Sequence, residues 1–104
     1  MISRPIKTSP KITLSRWRII LAGTFRPGRN YTFEIYRLAV DQKLNGYIKK
    51  KTDRGLELEV EGESKNIENF SAKLEALIEG SSMQTRCYIM DKILNYNEFR
   101  IINH

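Results

Sequence analysis

The chain has 104 residues, is 40% hydrophobic and 29% charged, and carries a net charge of +6. This is one domain's length with one modest core, and composition argues against wholesale disorder. One cysteine, Cys87, excludes an internal disulfide, and with His104 as the one histidine it also excludes a Cys/His zinc site.

No apolar run approaches the roughly 20 residues of a membrane-spanning helix. The first ten residues have no apolar h-region, so the expectation is a cytoplasmic protein without a membrane segment. Their basic, acid-free composition also fits an organelle presequence, but the strand pattern begins almost at once. The charge is uneven. Seven bases (Arg4, Lys7, Lys11, Arg16, Arg18, Arg26, Arg29) and no acid precede Glu34, whereas 11 bases and 12 acids follow. Such a field favours a phosphate-like anion or an acidic protein partner, and equally suits a solvated basic face.

Residues 1–10 hold two prolines, two serines and a threonine without periodicity and read as a flexible lead-in to a domain over residues 11–104. Residues 11–24 read as a first strand through Ile12, Leu14, Trp17, Ile19 and Leu21, with a phase change between Leu14 and Trp17 that predicts a bulge. Pro27 and Gly28 stop the ladder and make residues 26–30 a loop. Residues 31–44 have helical spacing at Ile35, Leu38 and Ala39, with Asn30 as N-cap, Glu34 in the first turn and Asn45-Gly46 as the stop. Residues 47–51 and the strictly alternating residues 56–61 form a hairpin around Asp53-Arg54-Gly55. Glu57, Glu59 and Glu61 then face solvent, with Lys49 and Lys51 across the hairpin as partners.

A second helix carries an apolar stripe at Ile67, Phe70, Leu74 and Leu77 and ends at Gly80. Residues 83–90 are a strand in which Cys87 is expected to act as a small buried hydrophobe, and residues 99–102 are a short last strand. The order β-α-β-β-α-β plus one short strand predicts an α+β domain with two helices on one face of a four- or five-stranded antiparallel sheet. Ile35, Leu38, Leu58, Val60, Phe70, Leu74 and Leu77 are the expected core, and Trp17, Tyr36 and Tyr47 are expected to pack rather than stand exposed. A monomer is expected, with no metal and no cofactor.

From about residue 11 to residue 102 the chain resembles the acylphosphatase family. The matching features are the loop of residues 24–31, Ala39, the run Leu44-Asn45-Gly46-Tyr47-Ile48-Lys49-Lys50, the acidic strand closing at Gly62, Phe70 with Leu74, and Phe99-Arg100-Ile101. The resemblance implies a ferredoxin-like sandwich and hydrolysis of carboxyl-phosphate bonds. In that chemistry loop N–H groups at a helix start cradle the phosphate, an arginine grips it, and an asparagine in the second strand positions water.

Counting back from Gly46 without a gap, the family's arginine position falls on Thr32, its preceding phenylalanine on Tyr31 and its loop glycines on Gly28 and Asn30. Counting forward, the asparagine position falls on Lys50. Threonine lacks the guanidinium charge, and lysine is a donor only, so it cannot accept a proton bond from water. Pro27 removes one donor from the cradle. Arg26, closing Gly23-Thr24-Phe25-Arg26, restores the family's Phe-Arg if the loop holds an insertion, and Arg29 is a second source of charge. Asn45 is assigned to the helix end. The sequence thus assigns no catalytic residue and predicts a candidate anion site at Arg26, Gly28, Arg29, Asn30, Tyr31, Thr32 and Lys50.

Three functions compete. The first is a non-catalytic acylphosphatase-like module for anion binding or protein interaction. The second is a divergent acylphosphatase using Arg26 or Arg29. The third is a nucleic-acid binder of the same β-α-β-β-α-β order, disfavoured because three carboxylates on the hairpin would repel phosphates.

Overall fold

The computed structural model describes residues 13–24, 28–52 and 54–102. The expected lead-in, Arg26, Pro27, Asp53 and His104 lie outside these residues. The elements are β1 (Leu14–Ala22), α1 (Tyr31–Asp41), β2 (Asn45–Thr52), β3 (Gly55–Glu63), α2 (Ser64–Ile78), β4 (Gln84–Met90) and β5 (Phe99–Ile102). They form one sheet in the order β4-β1-β3-β2-β5. The expected α+β ferredoxin-like sandwich is therefore present, with one correction. The sheet is mixed, because β5 runs parallel to β2 while the other pairings are antiparallel. The chain leaves β4 at one edge, reverses through residues 91–98 and enters the far edge running with β2.

One sheet face presents Ile19 and Leu21 of β1, Leu56, Leu58 and Val60 of β3 and Ile48 of β2 to Ile35 and Ala39 of α1 and to Ile67, Phe70, Leu74 and Ile78 of α2. Each large apolar side chain buried here contributes roughly 1.5–3 kcal/mol. Of the expected core, Ile35, Leu58, Val60, Phe70 and Leu74 are buried, whereas Leu38 and Leu77 are half-buried along the groove between the helices. α1 ends earlier than its apolar spacing implies. Lys43 adopts φ 59°, and Leu44 N–H returns to the Ala39 carbonyl at 2.9 Å. Asn45 accordingly opens β2 instead of closing the helix, and its amide donates to the Tyr96 carbonyl at 2.9 Å.

β1 contains no bulge. Its register to β3 runs unbroken from Leu14↔Glu63 to Ala22↔Gly55. The apparent change of phase arises because the inward position on the second sheet face is taken by a charge. Arg16 is 7% exposed and Leu14 52% exposed.

That second face is covered, which overturns the expectation of a solvent-facing acidic strand. Glu59 and Glu61 are 2% and 5% exposed beneath the connection of residues 91–98. Glu59 accepts from Arg16 at 2.8 Å, from Arg18 at 2.7 Å and from the Tyr96 hydroxyl at 2.7 Å. Glu61 accepts the backbone N–H groups of Leu94 and Tyr96. Arg16 also donates to the Lys92 carbonyl at 2.7 Å. Glu57 receives the Tyr47 hydroxyl and lies 3.6 Å from Lys51 Nζ, so one of the expected lysine partners is used. Tyr47 belongs to this polar face, edge-on to Tyr96, and not to the helix–sheet core. Trp17 and Tyr36 do pack against the core.

Burial pushes the Glu59 carboxyl up, but hydrogen bonds from Tyr96, Arg18 and Arg16 outweigh it, and the group titrates below the ordinary range. The Tyr47 hydrogen bond likewise lowers Glu57. Burial and the bond to Glu59 push Tyr96 up to about 12. Cys87 is exposed, not buried: it lies on β4, an outermost strand whose residues past Thr85 are mostly exposed.

Candidate functional site

The segment joining β1 to α1 begins at Gly23, whose φ of 141° sets its backbone against that of Ser82, where an added Cβ would lie 2.6 Å from the carbonyl oxygen. It re-emerges at Gly28, which has a φ of 80° and open space around it. Asn30 then caps α1 as expected. Its side-chain oxygen accepts the Phe33 N–H at 3.0 Å, and its carbonyl accepts the Glu34 N–H at 3.0 Å. These two bonds begin the helix and direct its positive end toward the loop mouth.

Across from this mouth stands the end of β2, whose placement depends on Gly46. Its φ is 138°, and a Cβ there would sit 1.9 Å from the Glu59 carbonyl oxygen. This close approach, with a 2.8 Å bond from Gly46 N–H to the Glu98 carbonyl, holds β2 between β3 and β5. Four residues further along β2, Lys50 reaches the mouth.

Gly28, Arg29, Asn30, Tyr31, Thr32 and Lys50 line one concavity of about 430 Å³ together with Leu56. Six of the seven sequence-predicted site residues therefore meet in one place, and the seventh, Arg26, is outside the described residues. Leu56 was not anticipated. Its position in the alternating strand marks it only as core, and nothing in the sequence says that the start of β3 underlies the loop.

The charges differ from expectation. The Arg29 guanidinium pairs with Glu34 through two nitrogens and lies over the Tyr31 ring, 4.9 Å from its centroid. The hydrogen bond to Glu34 raises the Arg29 pKa, so this cation is compensated by the first turn of α1. Lys50 is exposed, and its ammonium enters no ion pair among the described residues. Tyr31 is 4% exposed and supplies wall and backbone. Thr32, half-buried, contributes a neutral hydroxyl that can donate and accept. The mouth thus combines a helix start, a hydroxyl and one uncompensated lysine. Among the described residues no group of three or more His, Cys, Asp or Glu could hold a metal, and no helix is long and apolar enough to cross a membrane.

The acylphosphatase family model matches residues 18–101. The chain therefore belongs to the acylphosphatase family. Among solved structures it is similar to the acylphosphatase from Bacillus subtilis, with a TM-score of 0.75 and 21% identity, covering 86% of this chain and 99% of that one. It is similar also to an acylphosphatase from Coxiella burnetii, with a TM-score of 0.74 and 17% identity, covering 86% and 93%. The same fold occurs within a larger protein. Full-length HypF, in a phosphate- and nucleotide-bound form, matches with a TM-score of 0.71 and 22% identity over 89% of this chain and 12% of that one. A search of curated proteins returned no significant match.

Proposed function

We propose that this chain is a non-catalytic acylphosphatase-like domain that uses the mouth between residues 28–32 and Lys50 to bind a phosphate-like anion. The observation that carries this reading is that Thr32 and Lys50 line the same concavity. In the ungapped family register these are the positions of the phosphate-gripping arginine and the water-positioning asparagine. With Thr32 there, the charge-assisted, two-pronged grip of a guanidinium is missing. With Lys50 there, an attacking water meets a cation with no acceptor to orient it. Chemistry that depends on positioning and charge stabilisation loses about 10²–10³ in rate for one such donor, and here two elements are altered together. What remains suits binding: a helix start, favourable to anions, and an uncompensated ammonium.

Inorganic phosphate added at low ionic strength is expected to shift the amide resonances of residues 28–32 and Lys50 before any others. The response should weaken as salt rises, because exposed charges are screened over about 8–10 Å at ordinary ionic strength. Lys50→Gln should remove most of it. If phosphate produces no shift, or shifts centred on Arg86 or Lys92, the mouth is only a basic turn.

Membership of the acylphosphatase family supports a second reading, a divergent acylphosphatase in which Arg26 supplies the missing charge. Direct assay of hydrolysis separates the two.

A further inference from the structure

β4 is the outermost strand on its side of the sheet and pairs with β1 alone. A sheet edge presents a row of unpaired N–H and C=O groups, and proteins commonly blunt it with a very short strand, a proline, a lysine or a bulge. The opposite edge follows that rule, because β5 has four residues. β4 does not. It runs for seven residues, Gln84–Met90, without proline, lysine or acid. Its register to β1 is unbroken from Arg16↔Met90 to Ala22↔Gln84. Tyr88 is 48% exposed, Ile89 is 72% exposed, and Cys87 beside them is also exposed.

Among the described residues no element covers this edge. α2 packs on β1 and β3 and reaches β4 through Glu75, which accepts from the Thr85 hydroxyl at 3.2 Å. On the other face residues 91–98 turn inward over β1 and β3, where the Lys92 carbonyl accepts from Arg16 and the N–H groups of Leu94 and Tyr96 donate to Glu61. Arg86 is the strand's one charge and enters no ion pair among the described residues. A strongly charged partner therefore finds little to hold here.

The strand does match itself. A two-fold axis through Cys87, the middle residue, pairs all of Gln84–Met90 with a second copy: Gln84 with Met90, Thr85 with Ile89, Arg86 with Tyr88. An axis through Arg86 would oppose two arginines, and one through Tyr88 would leave Gln84 and Thr85 without partners. In the Cys87 register each guanidinium faces the other copy's Tyr88 ring, a cation–π arrangement. On the helix-bearing face the β-branched Thr85 and Ile89 meet, a favourable cross-strand pair.

We propose that this chain forms a two-fold dimer by antiparallel pairing of β4 with β4 of a second copy, joining the two five-stranded sheets into one continuous sheet. The interface is isologous, so each contact occurs twice. An edge-to-edge contact is small, and the association is accordingly weak and concentration-dependent. Residues directly opposite in an antiparallel pair have Cα atoms about 4.5–5.5 Å apart, within the roughly 4.4–6.8 Å that a disulfide spans. Cys87 therefore reports the register.

The test sediments the unmodified full chain under reducing conditions, from micromolar to near-millimolar concentration. The mass should rise from one chain toward two, and the amides of β4 should gain hydrogen-exchange protection over the same range. With diamide as oxidant, Cys87 should give a disulfide-linked dimer. The double variant Cys87→Ser, Gln84→Cys moves the thiol to the exposed strand end, and it should not cross-link, because the two thiols then lie at opposite ends of the pairing. Tyr88→Lys sets a lysine opposite Arg86 at both symmetric contacts and should weaken association about tenfold. Adding Arg86→Glu to it should restore association, which also shows that the lysine variant folds. A mass of one chain throughout returns the monomer expected from the sequence and overturns the pairing. Protection of β4 that does not change with concentration, protection gained elsewhere in its place, equal cross-linking of the two thiols, or association unaltered by Tyr88→Lys would each overturn it as well.

Discussion

Glu59 is the residue on which the covered sheet face turns. Three donors from two separate stretches of chain, Arg16 and Arg18 of β1 and Tyr96 of residues 91–98, meet on its carboxylate. Removing one partner of a buried ion pair costs about 3–5 kcal/mol, since the other is left uncompensated. Glu59→Gln should lower the unfolding free energy by an amount near that range in urea denaturation, and a loss below about 0.5 kcal/mol, typical of surface sites, would contradict the assignment. The pH dependence follows with its sign. The folded-state pKa values of Glu57 and Glu59 lie below the ordinary 4.5, so their stabilisation is complete above that value. It is lost as pH falls through the lowered folded-state values. Tyr96 is raised from 10.0 to about 12, so its contribution is complete below 10 and fades as pH rises toward 12. The combined contribution of these three groups should therefore be flat between these limits and fall on both sides. In Glu59→Gln both slopes should be shallower.

At the scale of elements, α2 is the clearest case of a legible sequence. Ile67, Phe70 and Leu74 recur at helical spacing, and all three are buried against the sheet. Leu74 is 2% exposed, and Leu74→Ala should cost roughly 2–5 kcal/mol by denaturant titration. A near-neutral result would mean that the helix packs by another face. β3 was legible in its alternation but only half understood. Periodicity separates two faces and cannot say what covers each. The cover over Glu59 and Glu61 comes from residues 91–98, a polar stretch without periodicity, bound through backbone groups and one tyrosine hydroxyl. For the same reason the change of phase between Leu14 and Trp17 reads as a bulge, though Arg16 fills an inward place. Cys87 erred in the other direction. Its alternation within β4 is real, but the strand is outermost in the sheet, and sheet order depends on pairings that no local window contains. The end of α1 was misjudged because Lys43 adopts a left-handed conformation that glycine or asparagine more often signals.

At the scale of the molecule, family membership and fold agree with the reading from motif order and spacing. The sequence showed which residues share the concavity, but not how their charges are paired. Counting from Gly46 gave Thr32 and Lys50, and both line one concavity with residues 28–31. The count could not anticipate that Glu34, one turn into α1, compensates Arg29. That pairing concentrates the proposed anion affinity on Lys50. It also bears on catalysis, because an arginine committed to Glu34 is poorly placed to replace the one the family uses. The most direct measurement is benzoyl phosphate hydrolysis by the unmodified chain beside the double variant Thr32→Arg, Lys50→Asn. The account predicts turnover near the uncatalysed background for the unmodified chain and a rise in the double variant where the loop still cradles phosphate. Robust turnover by the unmodified chain would contradict it.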